Sequence, residues 1–302
     1  MVKLILINFR NNLEAFFEDK KTLLDKKISE LLEEHVEANA IDVSKYIVEG
    51  GKRLRGLLTL FITDVLVNDY NRAVRAAVAL ELVHSCSLAI DDIIDQDVKR
   101  RGRPSVWVAK GISKTVLVSN LLIPIAIKEV SYLGTSAVKK VIETWLKVTM
   151  GEIYDVFDES SSYLKTIEYK TSSLFQLSLD LAAIASNRED LINVFERYGL
   201  YLGYLYQISD DLVDAKKYIE NRNEEKPLFL IKMLNWLGAS NLISWEELKL
   251  MVFKKLNEFY NSAITAINGI NDKDLTLILK ELPIYIVDKI LEEGNLKWNL
   301  VE

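Results

Sequence analysis

The stretch LAIDDIIDQDVKRRGRPS, residues 88–105, places three aspartates directly after an apolar run. A second stretch, YQISDDLVDAKK (206–217), repeats the D-D-x-x-D spacing. On a helix, residues four positions apart lie about 40° apart around the axis and one turn apart along it, so the first and last aspartates of each motif share a face. A buried carboxylate without a partner is too costly to keep. Each motif must therefore be solvated, paired or bound to cations.

Two acidic faces of this kind predict a magnesium site. Carboxylate oxygens are hard ligands, and Mg²⁺ keeps several waters and shares its remaining positions with phosphate oxygens of a substrate. For a single motif, a solvated acidic patch or a set of capping acids is the better explanation, but two copies, each behind an apolar run, favour metal binding. The glycine and distal glutamate of an EF-hand calcium loop are missing. The predicted ligands are Asp91, Asp92, Asp95, Asp210, Asp211 and Asp214.

Cationic residues lie close to the first motif. EGGKRLRGLL places Lys52, Arg53 and Arg55 after two glycines, and KRRGRP (99–104) follows the aspartates directly. A glycine-rich turn that opens a helix, with Lys and Arg at its start, favours a polyanion through backbone N–H groups and guanidinium forks. A solvated basic turn explains GGKR alone equally well. Beside an acidic motif, the cations indicate two diphosphate sites, one that binds through metal and one that binds directly.

The hydrophobic pattern is helical throughout. Apolar residues recur at helical spacing in almost every window, for example over 138–148 and 174–184. Alternation typical of strands is not evident. The chain has 12 glycines and 4 prolines in 302 residues, and no linker rich in Pro, Gly or Ser. The sequence therefore predicts an all-α fold, a single large helical bundle domain over residues 1–302, with roughly ten or more helices.

Composition excludes several classes of protein. The net charge of −6 argues against a general nucleic-acid binder, which usually carries a basic field. The single cysteine, Cys86, excludes an internal disulfide and fits a reducing compartment, so we expect a cytoplasmic protein. The N-terminus shows no small-residue cleavage site and is expected to form a first helix. The apolar run VLVSNLLIPIAI (116–127) is shorter than the about 20 residues that span a bilayer, so we expect a soluble protein.

The order of the motifs resembles a known family. The segments GGKRLRG, ELVHSCSLAIDDIIDQDVKRRGRPS, YKTSSLF, YQISDDLVD and EEKPLFLIKML follow one another as in the trans-isoprenyl diphosphate synthases. These are all-α enzymes of the isoprenoid synthase type that condense isopentenyl diphosphate with allylic diphosphates. Within the family the chain is most similar to archaeal medium-chain enzymes of the hexaprenyl diphosphate synthase type. The resemblance implies a prenyltransferase that makes a medium or long all-trans polyprenyl diphosphate, with hexaprenyl diphosphate as the expected product.

The resemblance also implies a role for each matching residue. Asp91 and Asp95 would hold two Mg²⁺ ions and Asp210 a third, so about three ions are expected, with the other aspartates in support. The residues that would bind the allylic diphosphate are Arg100 and Lys170, with Lys226 at a family lysine position. Those that would bind isopentenyl diphosphate without metal are Lys52, Arg55, His84 and Arg101. Thr171 and Gln207 would direct carbonyl oxygens at the developing carbocation.

This chain differs from most relatives in the loop after the second acidic motif and from short-chain relatives at the position of Cys86. AKKYIENRNEEKP (215–227) is shorter than the lysine-containing loop that most relatives carry after the second motif. Short-chain relatives commonly have an aromatic residue at the position of Cys86, so this cysteine predicts an open tunnel and a long product. A helical wheel places Val83 and Ser87 nearer the acidic face than Cys86. Trp145 and Leu174 are the candidates for the tunnel floor, although ordinary core packing explains both equally well.

Several alternatives remain at this point. A geranylgeranyl diphosphate synthase would differ only in product length. A class I terpene cyclase would share the acidic motifs but would not need GGKRLRG or RRG, because it binds no second diphosphate. A non-catalytic subunit of a two-component prenyl synthase would have lost the aspartates. The resemblance further implies a homodimer. We also expect a transient association with membrane for product release and, from the acidic net charge, no nucleic-acid partner.

Overall fold

The computed structural model describes residues 2–157, 162–221, 227–239 and 244–298. Within these residues the chain is almost wholly helical, which confirms the all-α prediction. The helices are α1 (Val2–His35), α2 (Ala38–Val48), α3 (Leu54–Val67), α4 (Val74–Ile94), α5 (Val106–Lys110), α6 (Ile112–Val130), α7 (Thr135–Phe157), α8 (Tyr163–Ile167), α9 (Ser173–Ala185), α10 (Ile192–Asn221), α11 (Leu228–Trp236), α12 (Trp245–Ala266) and α13 (Lys273–Glu293). The strands are β1 (Lys99–Arg100) and β2 (Arg103–Pro104). This short hairpin lies where the sequence shows no alternation typical of strands, and it is a small addition to the all-α fold.

The chain divides into two compact units. The first comprises Met1–Leu146 and Leu177–Ile192, and the second comprises Lys147–Gln176 and Asn193–Glu302. Each unit therefore combines segments that are distant in sequence. The organisation of residues 1–302 as a single domain stays a prediction.

Helix α4 is the core helix of the first unit. It packs against α3 and α6, and its buried positions include a run of small residues, Ala76, Ala77 and Ala79, that allows neighbouring helices to approach closely. Glu81 is the one charged residue in the middle of this buried helix, and it accepts a hydrogen bond from the backbone N–H of Gly56 (2.7 Å). The same helix carries the first acidic motif at its C-terminal end.

Helix α10 has the corresponding place in the second unit, where it carries the second acidic motif. Before that motif, Gly203 lies directly against the backbone of Ser172, and a Cβ atom at Gly203 would overlap that residue. Ser172 ends a short π-helical turn, Glu168–Ser172, between α8 and α9. Such turns are rare and occur often at functional sites. The close approach brings the π-helical turn alongside the segment of α10 that contains Gln207.

Two helical stretches of the described residues are long and apolar enough to cross a membrane by length and composition. They are Tyr70–Ile94, which is 67% buried over the relevant window, and Ile112–Leu133, which is 44% buried. The apolar run 116–127 is thus part of a longer helix than the sequence indicated. Core helices of globular proteins meet the same criterion, and the burial of Tyr70–Ile94 within the first unit is what a core helix requires.

The substitution Gly203→Ala tests the importance of the close approach between α10 and the π-helical turn. We expect a loss of about 1–3 kcal/mol in the free energy of unfolding, because the added methyl group must displace backbone. Urea denaturation of the purified protein measures this loss. Gly269→Ala is the matched control in the same unit, since a Cβ atom there meets no atom within 4 Å. Equal stability of the two variants would contradict the packing described.

Candidate active site

The first acidic motif lies at the C-terminal end of α4. Asp91 is half-buried, Asp95 caps the helix and is exposed, and Asp92 is only 2% exposed. The outer two aspartates therefore share an accessible face, as the spacing predicted, while the middle one points into the protein. The negative end of the helix dipole adds to the charge of these three carboxylates. The negative charge at this end of α4 therefore attracts cations.

A β-hairpin supplies the nearest cations. Strands β1 and β2 pair in antiparallel register, and Arg101 and Gly102 form the two-residue turn with positive φ values of 54° and 76°. Positive φ at both positions is the signature of a type I′ hairpin turn. Arg103 stacks over the ring of Tyr46 (4.2 Å) and donates to the carbonyl oxygen of the same residue (2.8 Å). These contacts fix the hairpin on the C-terminal end of α2.

Arg100 connects the hairpin to the first acidic motif. Its Nε donates to Asp92 Oδ1 (2.5 Å), and its Nη2 lies 3.7 Å from Asp91 Oδ2. Burial raises the pKa of Asp92 above its ordinary value, although Arg100 opposes this effect. The structure therefore brings together the predicted metal-binding residues Asp91 and Asp92 and the predicted diphosphate-binding residue Arg100.

The basic turn GGKRLRG is held by two acids, the exposed Asp25 and the buried Glu81. Arg53 opens α3 with a left-handed backbone (φ 57°), and its guanidinium donates to Asp25 Oδ1 (2.7 Å) and to the carbonyl oxygen of Val48 (2.6 Å). Glu81 Oε2 lies 3.8 Å from the same guanidinium. Sequence reasoning missed the role of Glu81, although a glutamate on the buried face of an apolar helix is itself a signal of a structural partner. Lys52, at the start of this turn, is exposed.

Arg55 and His84 form a second contact within the same unit. Arg55 Nη1 lies 3.1 Å from His84 Nε2. Burial lowers the pKa of His84 well below its ordinary value, and the charges of Arg55, Arg101, Arg53 and Arg100 add to the effect. A guanidinium only donates, so Nε2 accepts and the proton of the neutral imidazole lies on Nδ1. That Nδ1 atom is enclosed, and no hydrogen-bond partner for it lies within the described residues.

The second acidic motif has the same division into outer and middle acids. Asp210 is half-buried and Asp214 is exposed, whereas Asp211 is buried. Asp211 accepts hydrogen bonds from the Tyr163 hydroxyl (2.5 Å) and from Gln207 Nε2 (2.9 Å). Burial raises the pKa of Asp211 to about 7 against the opposing effect of these two donors. Tyr163 was not identified from the sequence.

Lys170, Thr171 and Gln207 also come together in the second unit. The Thr171 hydroxyl donates to Gln207 Oε1 (2.9 Å), and Lys170 lies in the same π-helical turn as Thr171. Lys170 Nζ lies 2.8 Å from Glu152 Oε2 and 3.2 Å from Asp155 Oδ2. Lys170 and Thr171 thus lie in one turn, Gln207 of α10 is bonded to Thr171, and the lysine side chain is held by carboxylates.

Asp155 is shared between two lysines. Its other oxygen, Oδ1, accepts a hydrogen bond from Lys232 (2.8 Å), a buried lysine of α11 that the sequence analysis did not single out. Burial alone would raise the pKa of Asp155, but the hydrogen bond from Lys232 and the charge of Lys170 lower it below its ordinary value. Asp155 is therefore ionised at neutral pH and orients both ammonium groups.

The remaining predicted residues concern product length. Cys86 and Val83 are fully buried in α4, and burial raises the pKa of the Cys86 thiol far above its ordinary value. Ser87 donates from its hydroxyl to the carbonyl oxygen of His84. Trp145 is half-buried in α7, and Leu174 is buried in α9. Their roles in a tunnel stay predictions. Lys226 lies outside the described residues.

The outer aspartates have the character that Mg²⁺ requires. Each motif offers two accessible carboxylates one helical turn apart, and Mg²⁺ commonly binds through one or two carboxylates, waters and substrate phosphate. Among the residues that the structure describes, no three acidic, histidine or cysteine side chains converge into a closed metal site. This donor set fits an ion that is completed by water and phosphate. That the first and second motifs face each other across one site stays a prediction.

Comparison with known proteins agrees with the fold and the motifs. A model of the polyprenyl synthetase family matches residues 37–227. Hexaprenyl pyrophosphate synthase of Saccharolobus solfataricus is 35% identical over 285 residues, 93% of this chain and 97% of that protein. Geranylgeranyl pyrophosphate synthase of Geoglobus acetivorans is 32% identical over 216 residues, 67% of this chain and 68% of that protein. A solved structure of the geranylgeranyl pyrophosphate synthetase from the same archaeon gives a TM-score of 0.75 at 28% identity, covering 90% of this chain and 99% of that chain.

The helical fold and the matched segments define an all-α trans-prenyltransferase. The chain belongs to the polyprenyl synthetase family. The family resemblance and the enzyme class predicted from the sequence are thereby confirmed.

The low pKa of His84 predicts a pH dependence of stability. Because the folded protein keeps His84 neutral, protons bind more to the unfolded chain below pH about 6.5, so the free energy of unfolding falls as the pH falls, by at most about 1.4 kcal/mol per pH unit for this group. In denaturation experiments at pH 7 and pH 5, we expect the fall in the free energy of unfolding to be smaller in His84→Gln than in the wild type. His35→Gln, which removes the other histidine, retains the wild-type fall. If the free energy of unfolding of His84→Gln fell with pH as steeply as that of the wild type, His84 would not be the neutral buried group described here.

Proposed function

We propose that this prenyltransferase extends an allylic diphosphate by repeated condensation with isopentenyl diphosphate and that its main product is all-trans hexaprenyl diphosphate. The observation that carries the condensation of two diphosphates is the pairing, within the first unit, of an acidic motif suited to metal with a separate basic site; the similarity to the hexaprenyl pyrophosphate synthase of Saccharolobus solfataricus supports the product. In that unit Arg55 lies against neutral His84, and Arg100 lies on the aspartates. A terpene cyclase needs only the acidic site, because it binds one diphosphate. Two different anion sites favour two diphosphate substrates.

In this proposal the allylic diphosphate binds at the acidic motifs. Arg100 and Lys170 donate to its oxygens, and their carboxylate partners Asp92 and Asp155 set the direction of each cation beforehand. Bound Mg²⁺ supplies charge neutralisation for the leaving diphosphate. The outer aspartates Asp91, Asp95 and Asp210 would hold the ions. As the allylic C–O bond breaks, Thr171 and Gln207 offer oxygen atoms to the positive charge that develops on carbon.

Isopentenyl diphosphate binds at the basic site without metal. Lys52, Arg55 and Arg101 supply positive charge, and His84 offers the Nδ1 proton as a neutral donor. The double bond of isopentenyl diphosphate attacks the allylic carbon, and a proton then leaves to the released diphosphate. The product is longer by one isoprene unit and keeps the diphosphate of isopentenyl diphosphate. No protein nucleophile takes part.

We further propose a cytoplasmic homodimer that needs no unlike subunit. The outer surface of α6 exposes Leu117 (69% exposed), Val116 and Leu121, and the part of α7 in the same unit exposes Ile142 and Leu146. An apolar helical surface of this kind is suited to a second copy of the chain, since closed symmetric dimers are the commonest oligomers. The retention of all six aspartates argues against a non-catalytic subunit. The product's apolar tail makes transient contact with membrane at release a part of the same proposal.

The acidic motifs give the first test of the proposed function. Asp91→Ala, Asp95→Ala and Asp210→Ala should each lower kcat by a factor on the order of 10³ or more, because each removes charge that stabilises the leaving group through the ions. Radiolabelled isopentenyl diphosphate incorporation at saturating Mg²⁺ measures this. Turnover near that of the wild type in all three variants would exclude the assignment.

A second test separates the two diphosphate sites. Arg55→Ala should raise the KM for isopentenyl diphosphate at least about tenfold, because it removes a charged donor and leaves His84 without its partner. Metal-dependent binding of a non-hydrolysable allylic analogue, measured by calorimetry, should survive. Lys114→Ala, an exposed lysine of α6, is the matched control for loss of one positive charge. Equal weakening of both ligands in Arg55→Ala would indicate one shared site.

A third test concerns product length. Cys86→Tyr should shorten the product while the first condensation continues, because a large ring replaces a small buried side chain. Trp145→Ala or Leu174→Ala should lengthen it. Mass spectrometry of the products measures the change. An unchanged distribution in a folded and active Cys86→Tyr enzyme would exclude the tunnel position of Cys86 without affecting the reaction class.

A further inference from the structure

Tyr163 is a buried tyrosine at the start of α8 whose hydroxyl is directed at the second acidic motif. The hydroxyl donates to Asp211 Oδ2 at 2.5 Å, and the ring packs against Trp236 with centroids 5.3 Å apart. Tyr163 is 6% exposed and Asp211 is 8% exposed. The hydrogen bond therefore lies away from bulk water, where the loss of a donor costs more than it does at the surface.

Asp211 has a protein donor on each carboxylate oxygen. Tyr163 occupies Oδ2, and Gln207 Nε2 occupies Oδ1 at 2.9 Å. Two donors from different elements, α8 and α10, hold the plane of the carboxylate in one orientation. The middle aspartate of the first motif has the same character, since Asp92 is buried and bound by Arg100. In both motifs the accessible carboxylates are the outer ones.

The carboxylate in turn decides which way the Gln207 amide faces. With Nε2 directed at Asp211, Oε1 faces Thr171 and accepts from its hydroxyl at 2.9 Å. The reversed amide would place Oε1 against a carboxylate oxygen, so that two acceptors would meet in a buried site. A chain of hydrogen bonds thus runs from Tyr163 through Asp211 and Gln207 to Thr171.

We infer that Tyr163 is a positioning residue for prenyl transfer, which acts through Asp211 to hold the amide oxygen of Gln207 and the adjoining Thr171 in their working orientation. Asp211 belongs to this orienting chain, and Asp210 and Asp214 are the members of the motif left to meet the ions. The inference deepens the proposed function and rests on it for the role of Gln207. The orienting chain itself is a property of the protein without substrate.

A spectroscopic measurement tests the orienting chain without any reaction. In the ¹⁵N-labelled protein, the side-chain amide signal of Gln207 is assigned by its disappearance in Gln207→Leu. Tyr163→Phe keeps the ring and removes the hydroxyl, and it should displace this signal. Tyr198→Phe is the matched control, because the Tyr198 hydroxyl is also buried in the second unit and donates to the carbonyl oxygen of Leu279 (2.7 Å). An undisplaced signal in Tyr163→Phe, or equal displacement in both variants, would overturn the inference.

A second variant keeps this test decisive if Tyr163→Phe does not fold. Asp211→Asn keeps the shape of the side chain but replaces one acceptor oxygen with an NH2 group, so it cannot accept from both Tyr163 and Gln207. It should displace the same Gln207 signal, and the protein's other glutamine side-chain signals should stay in place. An unmoved Gln207 signal in folded Asp211→Asn would likewise overturn the inference.

Kinetics then test the link to prenyl transfer. Tyr163→Phe should lower kcat by about tenfold, the effect of losing one ordinary hydrogen bond, and leave the KM for isopentenyl diphosphate and the half-saturating Mg²⁺ concentration unchanged. In the Gln207→Leu background the same substitution should cause no further loss, because it acts through Gln207. Additive losses would overturn the inference. Absence of condensation by the wild type would instead refute the proposed function, and the amide signal would still decide the orienting chain.

Discussion

A carboxylate that is wholly or partly removed from water needs a hydrogen-bond donor or a cation beside it. Asp92, Asp155 and Asp211 meet that need with residues that lie at the proposed site. Asp92 is bound by Arg100, and Asp211 by Tyr163 and Gln207. Asp155 orients Lys170 and Lys232. Each acid fixes the position of a cation or a polar group. The contacts that satisfy the buried carboxylates therefore also preorganise the site.

In the basic site of the first unit, a buried carboxylate is again paired, but the groups left to meet a ligand are positively charged or neutral. Glu81 is buried in α4, where it accepts from the backbone N–H of Gly56 and lies close to Arg53, so the turn before α3 is tied to the core. Arg55 then lies against His84, which stays neutral because burial and the surrounding guanidinium groups oppose its protonation. A second anion therefore meets cations and a neutral donor here, and needs no metal ion. The two anion sites therefore differ in their charged residues. At the acidic motifs, carboxylates bind an anion through metal ions, and at the basic site, Lys and Arg bind an anion directly.

Much of the fold and of the site could be predicted from the sequence, because both depend on short-range periodicity. Helical spacing of apolar residues predicts the helices, and D-D-x-x-D spacing predicts which aspartates share an accessible face. The contacts that orient the site could not be predicted in this way. Tyr163 and Asp211 are 48 residues apart, and Asp155 and Lys232 are 77 residues apart. The hairpin at 99–104 is also hidden, because its strands are too short and too charged to alternate.

The most direct test of the central claim is the size of the product. The purified protein is incubated with Mg²⁺, isopentenyl diphosphate and each of the allylic primers in turn, and the products are identified by mass spectrometry. We expect diphosphates that grow by whole isoprene units up to hexaprenyl diphosphate, with none formed when isopentenyl diphosphate is omitted. Cyclic hydrocarbon released from an allylic primer alone, or turnover that begins only when an unlike subunit is added, would contradict this account.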